Sequence, residues 1–373
     1  MLEKISIIVP LFKGQKYINN IIKMIGNWNR AEQKYQIEIV FVNDYPAEPV
    51  LVENSNEDII VKVIENEENI GIHGSRIAGV QNAAGEYVIF LDQDDTLSRD
   101  YLDSQMNHIH DREAVICNGL YRHGEKIFTD TNPLKNEYDF EEYLECGYPL
   151  VSLGQLLIKK SSIPEEWLEN RMIYNGWDDH FLWAIMMRCS VKVAVNEDVL
   201  YVHEEDGKNA SFSWNQMSLS GQNFKEKFLE LKLMNKRDEE KFIRLIDNKI
   251  SKYLTYAELS ALLTDVDTKE LANYLHSRGF YKIAIYGIGV YGKKLYQMLE
   301  KTDIDVLYGI DQRNDIKDMP IPVIALESGL GKVDAIVVSA VFSYESIKKN
   351  IETLYPYKVV SLMDMLREVK NRN

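Results

Sequence analysis

Apolar runs without polar alternation punctuate the first 214 residues: Ile5–Val9, the segments IEIVFVND and IIVKVIE, and Tyr87–Leu91. Strands covered on both faces read this way, whereas a half-exposed strand would alternate. Between the runs, Tyr17, Ile18, Ile21, Ile22 and Ile25 recur at helical spacing, and a further helix is expected around Ser75–Ala84. Strand–helix alternation of this kind predicts an α/β fold with a Rossmann-like sheet. From about 215 to 279 strand patterns stop, and Phe224, Phe228, Leu231, Phe242, Leu245, Ile246, Ile250 and Tyr253 fall at helical spacing as core positions. From Tyr281 a fresh βα pattern begins: KIAIYGIGVYGKKLYQMLE, DVLYGID, PVIAL, DAIVVSA, a helix near Tyr344–Leu354, and KVVSL. The expected organisation is therefore an α/β domain over 1–214, a helical connector over 215–279, and a small Rossmann-like α/β domain over 280–373.

Composition narrows the classes open to such a chain. With 373 residues, 45% of them hydrophobic, there is ample material for several cores. The balance of 43 basic against 58 acidic residues, net −15, argues against a nucleic-acid partner. Three scattered cysteines, Cys117, Cys146 and Cys189, lack metal-ligand spacing and suit a reducing compartment. The sequence enters a strand at once, without a charged start and apolar signal core, and no apolar run reaches membrane-spanning length. The expectation is a cytoplasmic protein.

The chemistry concentrates at strand ends. Tyr87–Leu91 delivers Asp92, Asp94 and Asp95 to the carboxyl edge of a sheet, where open α/β folds bind ligands. Crowded carboxylates suggest a divalent cation, which takes oxygen ligands and bridges to substrate phosphates; a solvated acidic turn is the competing reading. Asp44 ends VFVND at the same edge, where its carboxylate can accept hydrogen bonds from a uracil N–H or from ribose hydroxyls, or can close an Asx turn with Tyr45 and Pro46. Gly71 and Gly74 precede a helix carrying Arg76, a fork for phosphate or for the aspartate cluster. Asp178 and Asp179 begin a helix with Phe181, Leu182, Ile185 and Met186 inward, so they are either helix-starting acids or a second catalytic pair.

Four segments in this order, SIIVPLFKGQKYI, VFVNDYP, ENIGIHGSRIAGVQNAAGEYVIFLDQDD and NGWDDHFLW, resemble the family 2 glycosyltransferases of the GT-A type over about the first 210 residues. The resemblance implies a metal-dependent, inverting transfer of a sugar from a nucleotide-sugar donor to a hydroxyl of a glycan or lipid-linked acceptor, in cell-surface polysaccharide synthesis. A UDP-sugar is the expected donor, and Mn2+ or Mg2+ the expected metal. It implies that the loop of Pro10, Leu11 and Phe12 contacts the nucleobase and that Asp44 reads the uracil. Gly71, Arg76, Asp92 and Gln93 join the donor site, with Asp92 meeting the ribose, while Asp94 holds the metal and His203 is a ligand of the metal or of the diphosphate; His73, in the same loop as Gly71, could reach the diphosphate. Asp179 becomes the general base, with Asp178 and Trp177 on the acceptor side, and Ser211 matches a serine that often ends the segment of His203. For His73 and Trp177 the alternatives are a packing histidine and a core tryptophan. The sequence departs from the family where Tyr-Pro-Ala replaces a serine-rich turn after Asp44, and where Ile77 replaces an asparagine after Arg76. Asp95 is expected to turn away and cap a helix starting near Thr96–Asp100.

The last zone holds G-x-G-x-x-G at Gly287, Gly289 and Gly292 between a strand and a helix, with Asp311 ending the next strand. That context can seat a dinucleotide. It also resembles accessory Rossmann-like domains appended to bacterial sugar-modifying enzymes, and no tyrosine–lysine pair for hydride transfer accompanies it. A structural or nucleotide-sensing module is the favoured reading and NAD is not expected; an NAD-linked oxidoreductase or epimerase, and a non-catalytic scaffold, are the alternatives. Arg367, Lys370 and Arg372, interrupted by Glu368, leave open peripheral membrane association or a solvated helix end. Self-association through the C-terminal half is the remaining partner reading.

Overall fold

The computed structural model describes residues 2–28, 35–53, 58–129, 138–204, 213–313, 316 and 319–372. Ser211 lies outside them. The chain divides into two units, Met1–Leu254 and Thr255–Asn373.

The first unit is built on an eight-stranded mixed sheet in the order β3-β2-β1-β4-β7-β6-β8-β5. Its strands are β1 Glu3–Leu11, β2 Tyr35–Asn43, β3 Ile59–Glu65, β4 Tyr87–Phe90, β5 Thr96–Leu97, β6 Ala114–Tyr121, β7 Leu156–Lys159 and β8 Val193–His203. Strands β1 to β4 pair in parallel, β7 runs antiparallel to both β4 and β6, and β6 and β8 are parallel. The apolar runs are buried as expected, because successive side chains enter two different cores. Ile8, Val40, Val42, Val88 and Phe90 face one layer, while Ile7, Val9, Ile39, Phe41 and Ile89 face the other. Helices α1 (Gln15–Gly26) and α3 (Tyr101–Ile109) cover the second face. Helices α2 (Gly71–Asn82), α4 (Phe140–Cys146), α5 (Glu165–Glu169) and α6 (Asp178–Arg188) cover the first.

Two local readings need correction. The segment after Asp95 forms β5, paired antiparallel to Tyr201 and Val202 of β8, and the helix starts only at Tyr101. Helix α2 begins at Gly71, four residues before the expected start, so Gly74 and His73 lie inside it. The signal for that start is a distant carboxylate described below, invisible to local pattern.

The segment expected as a connector divides between the units. Helix α7 (Trp214–Glu230) and the first part of α8 (Lys236–Asp265) place Phe224, Phe228, Phe242 and Ile250 in the core of the first unit. Leu259, Leu262 and Leu263 of α8, with α9 (Thr268–Ser277), belong to the core of the second.

The second unit carries a five-stranded, wholly parallel sheet: β9 Lys282–Tyr286, β10 Asp305–Ile310, β11 Val323–Ile324, β12 Ala335–Val338 and β13 Lys358–Ser361. Its order, β11-β10-β9-β12-β13, reverses direction between β9 and β12. Helices α10 (Val290–Leu299), α11 (Tyr344–Leu354) and α12 (Leu362–Lys370) complete the layers.

Candidate active site

Strands β1, β2 and β4 end side by side, which brings Leu11, Asp44 and Asp92 to one edge of the sheet. The Asp44 N–H donates to the Leu11 carbonyl at 2.8 Å, and the Leu91 N–H donates to the Ile8 carbonyl at 2.9 Å. Asp44 is buried, and its carboxylate accepts from the N–H groups of Ile70 and Gly71, both at 2.8 Å, and from Asn66 Nδ2 at 2.9 Å. A carboxylate at a helix N-terminus satisfies orphan donors and meets the positive end of the dipole. Asp44 thus starts α2, and the φ of +78° at Gly71 permits the turn.

Helix α2 then aims Arg76 between two carboxylates. The buried guanidinium meets Asp92 Oδ1 and Asp178 Oδ2, each at 2.6 Å. Ser152 donates to the other Asp92 oxygen at 3.1 Å. Asp178, expected to contact acceptor or metal, is buried as the counterion of Arg76. Its neighbour Asp179 is half-buried, accepts the N–H of His180 at 2.7 Å and faces the buried Tyr148 hydroxyl. Burial, and then the adjacent charge of Asp178, push the Asp179 carboxyl up to about 7, against the opposing pull of Arg76. A carboxyl tuned to that range is suited to proton transfer near neutrality.

The middle residue of DQD has a distinct task. The Phe12 N–H donates to Gln93 Oε1 at 3.0 Å, and Gln93 Nε2 donates to the Phe12 carbonyl at 3.3 Å. The acidic turn and the loop after β1 are thereby clasped together. The Phe12 ring is exposed and stands edge-on to Tyr45 at 5.2 Å, so two aromatic rings border this edge.

Asp95 points inward: its carboxylate accepts from the Tyr201 hydroxyl and from the Glu204 N–H at 3.0 Å, and lies 3.3 Å from His203 Nδ1. The β5–β8 pairing therefore holds His203 beside the aspartate turn, with one ring nitrogen fixed by a carboxylate. Metal-binding histidines characteristically have that support. Among the described residues no cluster of three histidine, cysteine, aspartate or glutamate side chains could hold a metal by itself. Asp94 and His203 would hold a cation only with substrate phosphates and water completing the shell, which suits Mg2+ or Mn2+.

Two candidates sit in the core instead of lining the edge. His73 is buried against Trp167 at 4.4 Å between ring centroids, and its Nδ1 accepts from the Met172 N–H at 3.0 Å. Burial lowers it to about 4, which keeps it neutral. Trp177 is fully buried against Phe224 and His180, the core alternative, because α7 packs over it. Ser152, Asn66 and Tyr201 were absent from the sequence reading, since each acts through a partner at least nine residues distant.

In the second unit, Gly287 takes a φ of +88°, and a Cβ at Gly292 would fall 2.0 Å from the Gly287 carbonyl oxygen. The glycines allow α10 to pack against the loop, while Gly289 faces open space. Asp311 accepts from the Ile288 N–H at 2.8 Å and pairs with Arg313 at 3.1 Å, which commits its carboxylate to the loop.

Residues 6–168 match the sequence model of glycosyl transferase family 2. Over that part the chain is similar to the family 2 glycosyltransferases. A glycosyltransferase named GlyA from Streptococcus pneumoniae is 29% identical over 161 residues, 38% of this chain and 22% of that one. An uncharacterized glycosyltransferase of Haemophilus influenzae is 31% identical over 121 residues, 31% and 46% of the two chains. The chain thus spans less than half the length of these relatives. The crystal structure of residues 1–349 of Staphylococcus aureus TarS superposes with a TM-score of 0.49 and 13% identity, over 80% of this chain and 90% of that one. No described helix is long and apolar enough to cross a membrane.

Proposed function

We propose that the first unit transfers a sugar from a nucleoside diphosphate donor, a UDP-sugar, to an acceptor hydroxyl with inversion at the anomeric carbon. The observation that carries this reading is the continuous chain Asp92–Arg76–Asp178, which ties the donor edge to a helix start where Asp179 is tuned near neutrality. The matched family domain supports it.

Asp92 offers carboxylate oxygen to the ribose. Asp44 is committed to capping α2 and so shapes the donor edge through that helix instead of reading the base, and the Phe12–Gln93 clasp ties the loop after β1 to that edge. Asp179 takes the proton of the acceptor hydroxyl as that oxygen attacks. Arg76 pairs with Asp178, which leaves Asp179 as the carboxylate available to the acceptor hydroxyl. A divalent cation bound at Asp94 and His203 would neutralise charge on the departing diphosphate. The acceptor is a hydroxyl of a surface glycan or a lipid-linked glycan. We read the second unit as a structural or nucleotide-sensing module, since Asp311 is engaged by Arg313 and Ile288.

Screening nucleotide sugars for hydrolysis with Mn2+ tests the reading. Turnover of a UDP-sugar, abolished by Asp179→Asn with UDP binding retained and weakened in UDP binding by Asp94→Ala, is expected. A folded chain that binds no nucleoside diphosphate and hydrolyses no nucleotide sugar overturns it.

A further inference from the structure

Beside Asp179, two buried polar groups are unmatched among the described residues. The His180 ring lies between Tyr148, at 4.1 Å, and Trp177, at 4.5 Å between centroids, and Tyr253 meets Trp177 edge-on at 5.9 Å. Within this stack His180 Nδ1 and Trp177 Nε1 are shielded from solvent without a hydrogen-bond partner among the described residues, and the buried Tyr148 hydroxyl faces the Asp179 carboxylate. Burying a polar group unmatched is costly, and native structures hold few of them. Two in one stack, with a hydroxyl turned toward the candidate base, mark a place where a ligand's oxygens belong.

A cation stands at the same place. Lys249 of α8 puts its ammonium 5.8 Å from the centre of the Trp177 ring. Room for it comes from Gly147, where a Cβ would approach Lys249 Nζ to 3.1 Å and where φ is +79°. Among the described residues no carboxylate lies within ion-pair distance of this amine. Its charge opposes protonation of His180, which burial already keeps neutral, and the charge of Asp179 favours the ammonium form that burial resists. A half-buried ammonium with no anion in contact is an unmet electrostatic demand. Exposed lysines elsewhere on the chain have water to answer it.

We propose that Lys249, His180 and Tyr148 form the acceptor subsite, and that Lys249 selects an acceptor carrying a phosphate or carboxylate near the hydroxyl that is glycosylated. The inference rests on Asp179 being the base of a glycosyl transfer. Neutral His180 and the Tyr148 hydroxyl can each exchange hydrogen bonds with polyol oxygens, and the Lys249 ammonium supplies a compact charge for the anion.

Calorimetric titration of the full chain, saturated with UDP and Mg2+ so that the donor phosphate positions are filled, distinguishes the two anions. The probes are glycerol 1-phosphate, glycerate and glycerol. At least one anionic probe should bind at least tenfold more tightly than glycerol; a preference for the phosphate or for the carboxylate names the acceptor's anion. Lys249→Ala should abolish the preference, Lys249→Arg should keep most of it, and Arg244→Ala, at an exposed cation of the same helix, should leave it intact. Equal affinities for the three probes, no saturable heat with any, or a preference that survives Lys249→Ala overturns the subsite. UDP affinity in the same samples confirms that each variant is folded. A wild-type chain that binds no UDP sinks the glycosyltransferase reading and the subsite with it, whereas UDP binding without anion discrimination sinks the subsite alone.

Discussion

Arg76 and Asp178 meet at 2.6 Å across 102 residues of sequence, both side chains almost wholly withdrawn from water. Removing one partner of a buried pair strands the other charge, at a cost of about 3–5 kcal/mol. Arg76→Met should therefore lower the urea midpoint strongly while Asp178→Asn, which keeps a polar partner, does so less. Equal and small losses from both would contradict the assigned pairing.

The pH dependence follows from Asp179. Its folded value, near 7, lies above the ordinary carboxylate range, so the base form accumulates only as pH rises through about 7. The donor-hydrolysis or transfer rate should climb tenfold per pH unit below that point and flatten above it. Stability runs the other way. A carboxyl raised on folding contributes stability below its unfolded value, lost as pH rises through 7. Asp179→Asn should be inactive yet melt at higher temperature than the wild type at pH 8, by about 2–4 °C for each kcal/mol relieved. A flat rate profile from pH 5.5 to 8.5 would remove Asp179 from the role.

Gln93→Ala releases the loop after β1 without touching a core. UDP affinity should fall about tenfold, equivalent to one or two hydrogen bonds, with an unchanged denaturation midpoint. Titration of UDP into both proteins decides it; unaltered affinity would show that the clasp to Phe12 does not order the donor edge.

Two glycines of one motif should behave oppositely. Gly292→Ala would force a methyl group to 2.0 Å from the Gly287 carbonyl and should destabilise the second unit by about 1–3 kcal/mol. Gly289→Ala meets open space and should cost far less. Thermal unfolding of the two variants provides the comparison.

Much of this architecture was legible in the hydrophobic pattern, because buried parallel strands such as Ile5–Val9 and Tyr87–Leu91 advertise themselves by unbroken apolarity. The early start of α2 was not, because its cap is Asp44, 27 residues before Gly71. Asp92 and Asp179 stood out as acids at a strand end and a helix start. Their environment did not: the partner of Asp92 at Ser152 and the amine of Lys249 arrive from segments whose local sequences carry no motif. Trp177 shows the converse, since a tryptophan beside an acidic pair reads equally as platform or packing until α7 is seen to cover it.

The shared guanidinium also bears on timing. Arg76 divides one positive charge between Asp92 at the proposed donor edge and Asp178 beside the proposed base, Asp179. Hydrogen bonds from an arriving ribose to Asp92 would weaken its hold on Arg76 and leave more of that field for the Asp178–Asp179 end. The proton on Asp179 would then leave more readily once the donor is seated, so that an empty site guards its base and an occupied one arms it.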